Sequence, residues 1–303
     1  MIKRKIICLG LILALCLNSF SAAYAMDDSH LSVPFSEDSG GFMDSSFHAD
    51  AAEGNSKVKI DLSACHLGYV AVSAKSSKRM KFQELHNDTT YTYDIQNDGT
   101  PSVFPLQTGD GEYTFRAMEN TGGKKYAKVL VLSHQVKLDD PFQPFLRPSD
   151  YSNYKADSRC VRKAEDLTGN ASSQEEIVMA VYDFISESIR YDYMKAATVQ
   201  SGYLPDPDET LKTRKGICFD YAALAAAMLR SRGVPCKLVF GYVSSKKLYH
   251  AWNMFYTDET GWVTVGFKVN SKDWTRIDLT FTANGQSDSF IGDGSNYADL
   301  YYY

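Results

Sequence analysis

The sequence predicts an α+β domain preceded by a small, all-β, sandwich-like domain. Short runs that alternate apolar with polar residues fill residues 56–138, with Gly-rich turns between them. Helical periodicity begins only after a proline-rich stretch, and alternating runs then return beyond residue 235. Helices followed by a run of sheet give the α+β reading.

The first element is a leader. "MIKRKIICLGLILALCLNSFSAAYA" has a basic start, an apolar stretch from Ile6 to Leu17, and small residues ending at Ala25. This is the pattern of a secretory signal peptide, residues 1–25. Its apolar stretch is shorter than the ~20 residues a membrane span needs, so no stable membrane insertion is expected. Removing it takes away Lys3, Arg4 and Lys5 and moves the formal net charge from −5 to −8. An acidic, exported chain is a poor match for nucleic acid, which requires a basic surface. The expected location is extracellular.

Residues 26–55 are rich in Asp, Ser and Gly, lack Lys and Arg, and carry no helical or strand period. They are expected to form a disordered acidic linker. The β domain follows over residues 56–138, with strands expected in "KVKIDLS", "LGYVAVSAK", "RMKFQEL", "TTYTYDI", "YTFRAM" and "KYAKVLVLSHQV". Turns are expected at "NDGTP", "TGDGE" and "ENTGGK". Association with a cell surface is one use for this domain, and nothing reactive is visible in it. Residues 139–155, with Pro141, Pro144 and Pro148, read as a connector whose aromatic side chains dock on a neighbouring domain.

The last domain, residues 156–303, opens with helices. Ser172 and Glu175 fit a capping box, and Ile177, Val181, Phe184 and Ile185 share one helical face. A second helix is expected from Cys218 to Arg232, stopped by Gly233 and Pro235. Its run of alanines admits close approach from most sides, so it belongs in the domain centre. Cys218 then sits at the positive end of a helix dipole, where a thiolate is stabilised, and Gly216 is expected to let the chain turn sharply before it. Strands follow in "KLVFGYV", "YHAWNMFY", "GWVTVGF" and "TRIDLTF".

A thiolate catalyst needs a base, and the base needs an orienting acceptor. His250 and Asp278 are the candidates, each on an expected strand. Singly, each residue has a plainer reading: a small apolar Cys, a satisfied polar His, and an Asp that strands merely disfavour. Cys, His and Asp are also zinc ligands, but there is no C-x-x-C or H-x-x-x-H pairing, and no calcium-loop spacing. No metal or cofactor is expected. The remaining cysteines, Cys65, Cys160 and Cys236, are too few for a disulfide framework, although a Cys65–Cys160 bridge is left open.

Three segments taken together are more specific. "GICFDYAALAAAMLRSRGVPCKLVFGY", then "YHAWNMFY" with "GWVTV", then "WTRIDLTF" resemble the transglutaminase-like superfamily, in order and in spacing, over residues 160–285. Cys236 departs from the small apolar residue usual after the proline and reads as a buried structural thiol. The R-G-G-x-C signature of the related arylamine N-acetyltransferases is absent. The resemblance implies a papain/transglutaminase-like core, with the Cys-bearing helix packed on an antiparallel sheet. It also implies Cys218 as nucleophile, His250 as general base and acid, and Asp278 as orienting carboxylate. The Cys218 N–H is then the first oxyanion donor. Tyr203 and Trp252 are the further oxyanion or cleft candidates, Tyr203 as second donor and Trp252, with Trp274, as a shield of the triad from water. Asp220 and Tyr221 are expected to settle the helix start. Three functions fit: a hydrolase of peptide or amide bonds, a protein-glutamine transglutaminase, or a binding module on an inactive fold. The intact triad disfavours the third. Water as acceptor, with a peptide or protein substrate, is the reading preferred here.

Overall fold

The computed structural model describes residues 42–243, 248–264, 268–270, 273–275 and 297–303. These fall in one compact unit, residues 35–303. The expected leader, the first part of the expected linker, and Asp278 lie outside the described residues.

Two four-stranded antiparallel sheets build the N-terminal part. One has the order β1-β2-β3-β6, from β1 Glu53–Gly54, β2 Val58–Asp61, β3 Tyr69–Lys75 and β6 Asp98–Pro105. The other has the order β5-β4-β7-β8, from β4 Met80–His86, β5 Thr89–Ile95, β7 Gly111–Gly122 and β8 Lys125–Val136. Their apolar faces meet in an aromatic stack: Tyr93 of β5 lies on Phe104 of β6 at 3.9 Å, and Phe82 of β4 reaches the same ring at 5.6 Å. The sequence reading missed β6, because "NDGTP" was assigned to a turn. Pro101 is tolerated there because β6 is the edge of its sheet, where a missing N–H leaves no ladder bond unmade.

Residues 42–55, the described part of the expected disordered linker, are held against the β part. The backbone N–H groups of Ser46 and His48 donate to Tyr69 Oη and Asp61 Oδ2, at 3.1 and 2.7 Å, and β1 pairs with β2. Side chains of the β part thus supply the partners that this stretch lacks in its own sequence.

The C-terminal part carries five helices, α1 Arg159–Thr168, α2 Gln174–Ser188, α3 Tyr193–Thr198, α4 Pro207–Thr213 and α5 Cys218–Arg230, among the described residues. Its main sheet has the order β13-β12-β11-β16, from β11 Cys236–Val243, β12 Leu248–Thr257, β13 Gly261–Thr264 and β16 Tyr297–Tyr302. Short ladders join β9 Arg190–Tyr191 to β10 Lys215–Gly216, and β14 Lys268–Asn270 to β15 Asp273–Thr275. The expected capping box is displaced by one residue. Ser173, not Ser172, caps α2 by accepting from the Glu176 N–H, while the Ser172 N–H bonds the Glu176 carboxylate. Ile177, Val181 and Ile185 are buried as read, joined by Val178 and Tyr182.

Helix α5 is the centre. Every residue from Phe219 to Arg230 is buried. Its alanines let neighbouring side chains reach its backbone: Ser152 Oγ donates to Ala223 O at 2.9 Å, and Asn253 Nδ2 of β12 donates to Ala222 O at 3.0 Å. Arg230 ends the helix by donating to the carbonyls of Cys236, Arg147 and Tyr303.

The β part and the C-terminal part share one hydrophobic core, in which Phe82, Tyr93 and Phe115 are continuous with Phe219, Phe240 and Tyr303. Tyr151 of the connector stacks on Tyr303 at 4.1 Å. Residues 56–138 and 156–303, expected as two domains, are thus joined by packing as well as by the connector. Cys65 lies in this core and Cys160 in a second, helical core; both are free thiols, so the bridge left open in the sequence is not formed.

Two outcomes follow from these cores. Residues 155–303 alone would expose Phe219, Phe240 and Tyr303, at about 1.5–3 kcal/mol each. Against the usual 5–15 kcal/mol of a whole domain, that loss should leave the fragment insoluble or molten by near-UV circular dichroism. A cooperative melt of the fragment would refute the shared core. The second outcome concerns Glu84, on the inward face of β4 and 2% exposed, to which, among the described residues, only Tyr93 Oη donates, at 3.1 Å. Burial holds its carboxyl well above the usual range, and its titratable neighbours, Cys65, Tyr91, Tyr93 and Tyr113, bring no positive charge. A raised folded pKa contributes stability below the unfolded value of about 4.3, and that contribution is lost as pH rises. Glu84→Gln should therefore raise the melting temperature near neutral pH and give no gain near pH 4. An equal shift at both pH values would mean that Glu84 carries no buried-charge cost.

Candidate active site

Cys218 is the first residue of α5 and is only partly buried. Its three fellow cysteines differ. Cys65, Cys160 and Cys236 are buried, and burial pushes the thiols of Cys65 and Cys236 up to about 12 and that of Cys160 higher still. Cys236 is the structural thiol expected, its Sγ accepting from Asn253 Nδ2 at 3.5 Å.

The helix start has no polar residue at its cap, Ile217. Asp220, at the third helical position, compensates: its Oδ2 accepts from the Ile217 N–H at 2.7 Å, the return half of a capping box. Asp220 is completely buried and holds two further donors. Tyr203 Oη donates to Oδ1 at 2.5 Å, and Lys195 Nζ lies 2.9 Å from Oδ1 and 2.8 Å from Oδ2. Lys195 also donates to Tyr203 Oη at 2.6 Å. Gly216 serves this cluster rather than a sharp turn. A Cβ there would stand 2.5 Å from the Asp220 Cβ, in space the folded-back carboxylate requires.

His250 is buried on β12, opposite Gly241 of β11. Trp252 is two residues on and 3% exposed, its ring 6.3 Å from the imidazole. Strand β12 is tied to α5 one turn below Cys218 by the Asn253–Ala222 bond. Tyr249, next to His250, is half-exposed; partial burial raises its phenol, and Tyr301, Tyr242 and Cys218 raise it further.

The sequence candidates thus divide. Cys218 and His250 stand on two elements in contact. Trp252 is buried beside His250, too enclosed to line an open cleft. Tyr203 is near the helix start, but its one O–H proton is committed to Asp220, so as placed it is a clamp rather than a second oxyanion donor. Lys195 was not anticipated. It lies on a six-residue helix in a stretch without period, and only the fold brings it to Asp220.

Comparison with known proteins converges on this same stretch. Residues 161–267 match the family model of the transglutaminase-like superfamily. UPF0252 protein MJ1282 of Methanocaldococcus jannaschii is 33% identical over 90 residues, which cover 26% of this chain and 26% of that protein. Kyphoscoliosis peptidase of Mus musculus is 35% identical over 103 residues, 31% of this chain but 15% of the mouse protein. The similarity therefore spans a minor part of each relative. Among solved structures, a candidate cysteine protease from Cytophaga hutchinsonii aligns over 76% of this chain and 73% of its own, with TM-score 0.40 and 16% identity.

The Asp220 geometry yields a stability test. Gly216→Ala should displace the carboxylate from the Ile217 N–H and cost about 1–3 kcal/mol, as overpacking of a tight site does. Chemical denaturation should show the loss. An unchanged midpoint would mean that the site yields without disturbing the cap.

Proposed function

We propose that this chain is an exported thiol acyl-transfer enzyme that attacks a peptide or amide carbonyl through Cys218, with water as the final acceptor. The observation that carries the reading is the contrast among the cysteines. Cys218 alone of the four described stands partly open, and it does so at the first residue of a buried helix whose strand partner bears His250. Export rests on the leader in the sequence, and surface association of the β part remains a proposal of the same kind.

In the proposed cycle, His250 takes the thiol proton and Cys218 Sγ adds to the carbonyl carbon. The oxyanion is met by the Cys218 N–H. Tyr221 is the first α5 residue whose N–H bonds back along the chain, to Ile217 O, and the N–H groups before it are the ones a helix start presents to a ligand. Collapse breaks the C–N bond as His250 gives its proton to the leaving amine, and a thioester remains. Water, deprotonated by His250, then adds to the thioester, and Sγ leaves as the thiolate. Asp278 is proposed to hold the imidazole in the required tautomer. A protein-glutamine transglutaminase would follow the same path with an amine in place of water.

Two measurements test this. Brief iodoacetamide treatment of the folded protein at mildly acidic pH should label Cys218 first, because an ordinary thiol, with a pKa of about 8.5, is then almost wholly protonated. Equal labelling of all four cysteines would remove Cys218 as an activated nucleophile. Peptide-library digestion followed by mass spectrometry should show cleaved products, falling about a hundredfold or more in His250→Ala and in Asp278→Asn. Incorporation of an added amine at glutamine, without cleavage, would move the chain to the transferase class.

A further inference from the structure

The cluster behind the thiol contains more charge than a helix cap requires. A capping carboxylate at the third helical position needs only the cap N–H, which a neutral Asn can also satisfy. Here a fully buried carboxylate stands two residues beyond Cys218, on the same helical turn. Alone, its negative charge would oppose the formation of a thiolate beside it and offset the favourable end of the helix dipole. The structure places the Lys195 ammonium on both carboxylate oxygens, at 2.9 and 2.8 Å, and the Tyr203 hydroxyl on one of them.

We infer that Lys195, with Tyr203, is a positioning residue for Cys218: it neutralises Asp220 and locks the chain that precedes the nucleophile. The inference rests on the proposed role of Cys218. Geometry supports both halves of it. The segment bearing Lys195 and Tyr203 is anchored at its start by the β9–β10 ladder, and the Asp192 N–H donates to Gly216 O at 2.9 Å. Asp192 Oδ1 in turn accepts from the Lys195 N–H, which fixes where the lysine stem begins. The ammonium lies 4.3 Å from the centre of the Tyr203 ring, so the phenol braces it by its face as well as its oxygen. One buried carboxylate thereby joins the residue before the nucleophile to a segment some twenty residues upstream. Among the described residues, the charged and titratable groups arrayed around this cluster include Asp220 on α5, Lys195 and Tyr203 across from it, Asp206 beyond Tyr203, and Tyr249 on β12, next to His250.

The test is the pH dependence of Cys218 alkylation, which requires no substrate. Lys195→Met should leave the protein folded by circular dichroism, shift the pH–rate profile to higher pH, and slow alkylation at neutral pH about three- to tenfold. Lys195→Arg should restore most of the rate. Asp220→Asn in the Lys195→Met background should bring the profile back toward wild type, because the uncompensated charge is gone while the amide oxygen still caps Ile217. A folded Lys195→Met protein with an unshifted profile, or a double variant as slow as the single, would overturn the inference. Should Lys195→Met not fold, Lys195→Gln decides: it keeps a donor to the carboxylate without the charge and should show the same shift to higher pH, and an unshifted profile in the folded Lys195→Gln protein would overturn the inference. Failure of wild-type Cys218 to react ahead of the other cysteines would instead sink the nucleophile assignment.

Discussion

A buried helix made of small side chains is the constraint from which the rest of this structure follows. Alanines at 222, 223, 225, 226 and 227 contribute little apolar area of their own, so α5 gains stability only if neighbours press close to its backbone. They do: a connector serine and a strand asparagine bond its carbonyls in mid-helix, both cores wrap it, and Arg230 ties off its end. Close packing on every side leaves one place where the helix meets the surface, its first residue. Cys218, the thiol proposed as nucleophile, stands there, on a helix packed on every other side, which leaves it little freedom to be misplaced.

The same packing explains why the β part is more than an appendage. Its aromatic stack continues into the side chains that flank α5, so the rigidity of the helix is borrowed partly from Phe82, Tyr93 and Phe104. Glu84 is the flaw in that stack. A carboxyl with one hydrogen-bond donor and no cation among the described residues is expensive to bury, and the surrounding tyrosines tolerate it without neutralising it.

Much of this was legible in the chain. The alternation in "TTYTYDI" and "KYAKVLVLSHQV" marked strands to the residue, because alternate side chains turn inward, Tyr91 and Tyr93 fully and Leu130 and Leu132 partly, while those between them face solvent. Alanine content and the Gly233–Pro235 stop located α5, and an isolated cysteine and a histidine strand were enough to name the two elements, α5 and β12, on which the candidate site stands. What stayed hidden was tertiary. Strand β6 contains residues that favour turns and is held by its edge position; β16 lies beyond the expected strands and pairs with β11 across a long separation. Lys195 and Arg230 carry no periodic signal, and their roles exist only once distant backbone and carboxylate groups converge on them. The Tyr203 reading erred for a related reason: proximity to the helix start was foreseeable, but the partner that takes its proton was not.

The placement of β16 has a consequence for how the molecule is made. Strand β11 is completed on one side by β12, its near neighbour in sequence, and on the other by residues 297–303, where Tyr303 exchanges two backbone bonds with Leu238 and the Tyr302 N–H reaches Tyr91 Oη across 211 residues. A chain emerging from the ribosome therefore holds α5, strand β12 and the whole β part before it can close the sheet. Contacts of such separation pay their loop entropy late and slow the search for the native state. Until Tyr303 docks, a nascent chain has an open flank on its central sheet and an unfilled place in its largest core. Maturation of the thiol's surroundings is thus coupled to the last strand translated among those described, a form of timing written into topology rather than into any regulatory segment.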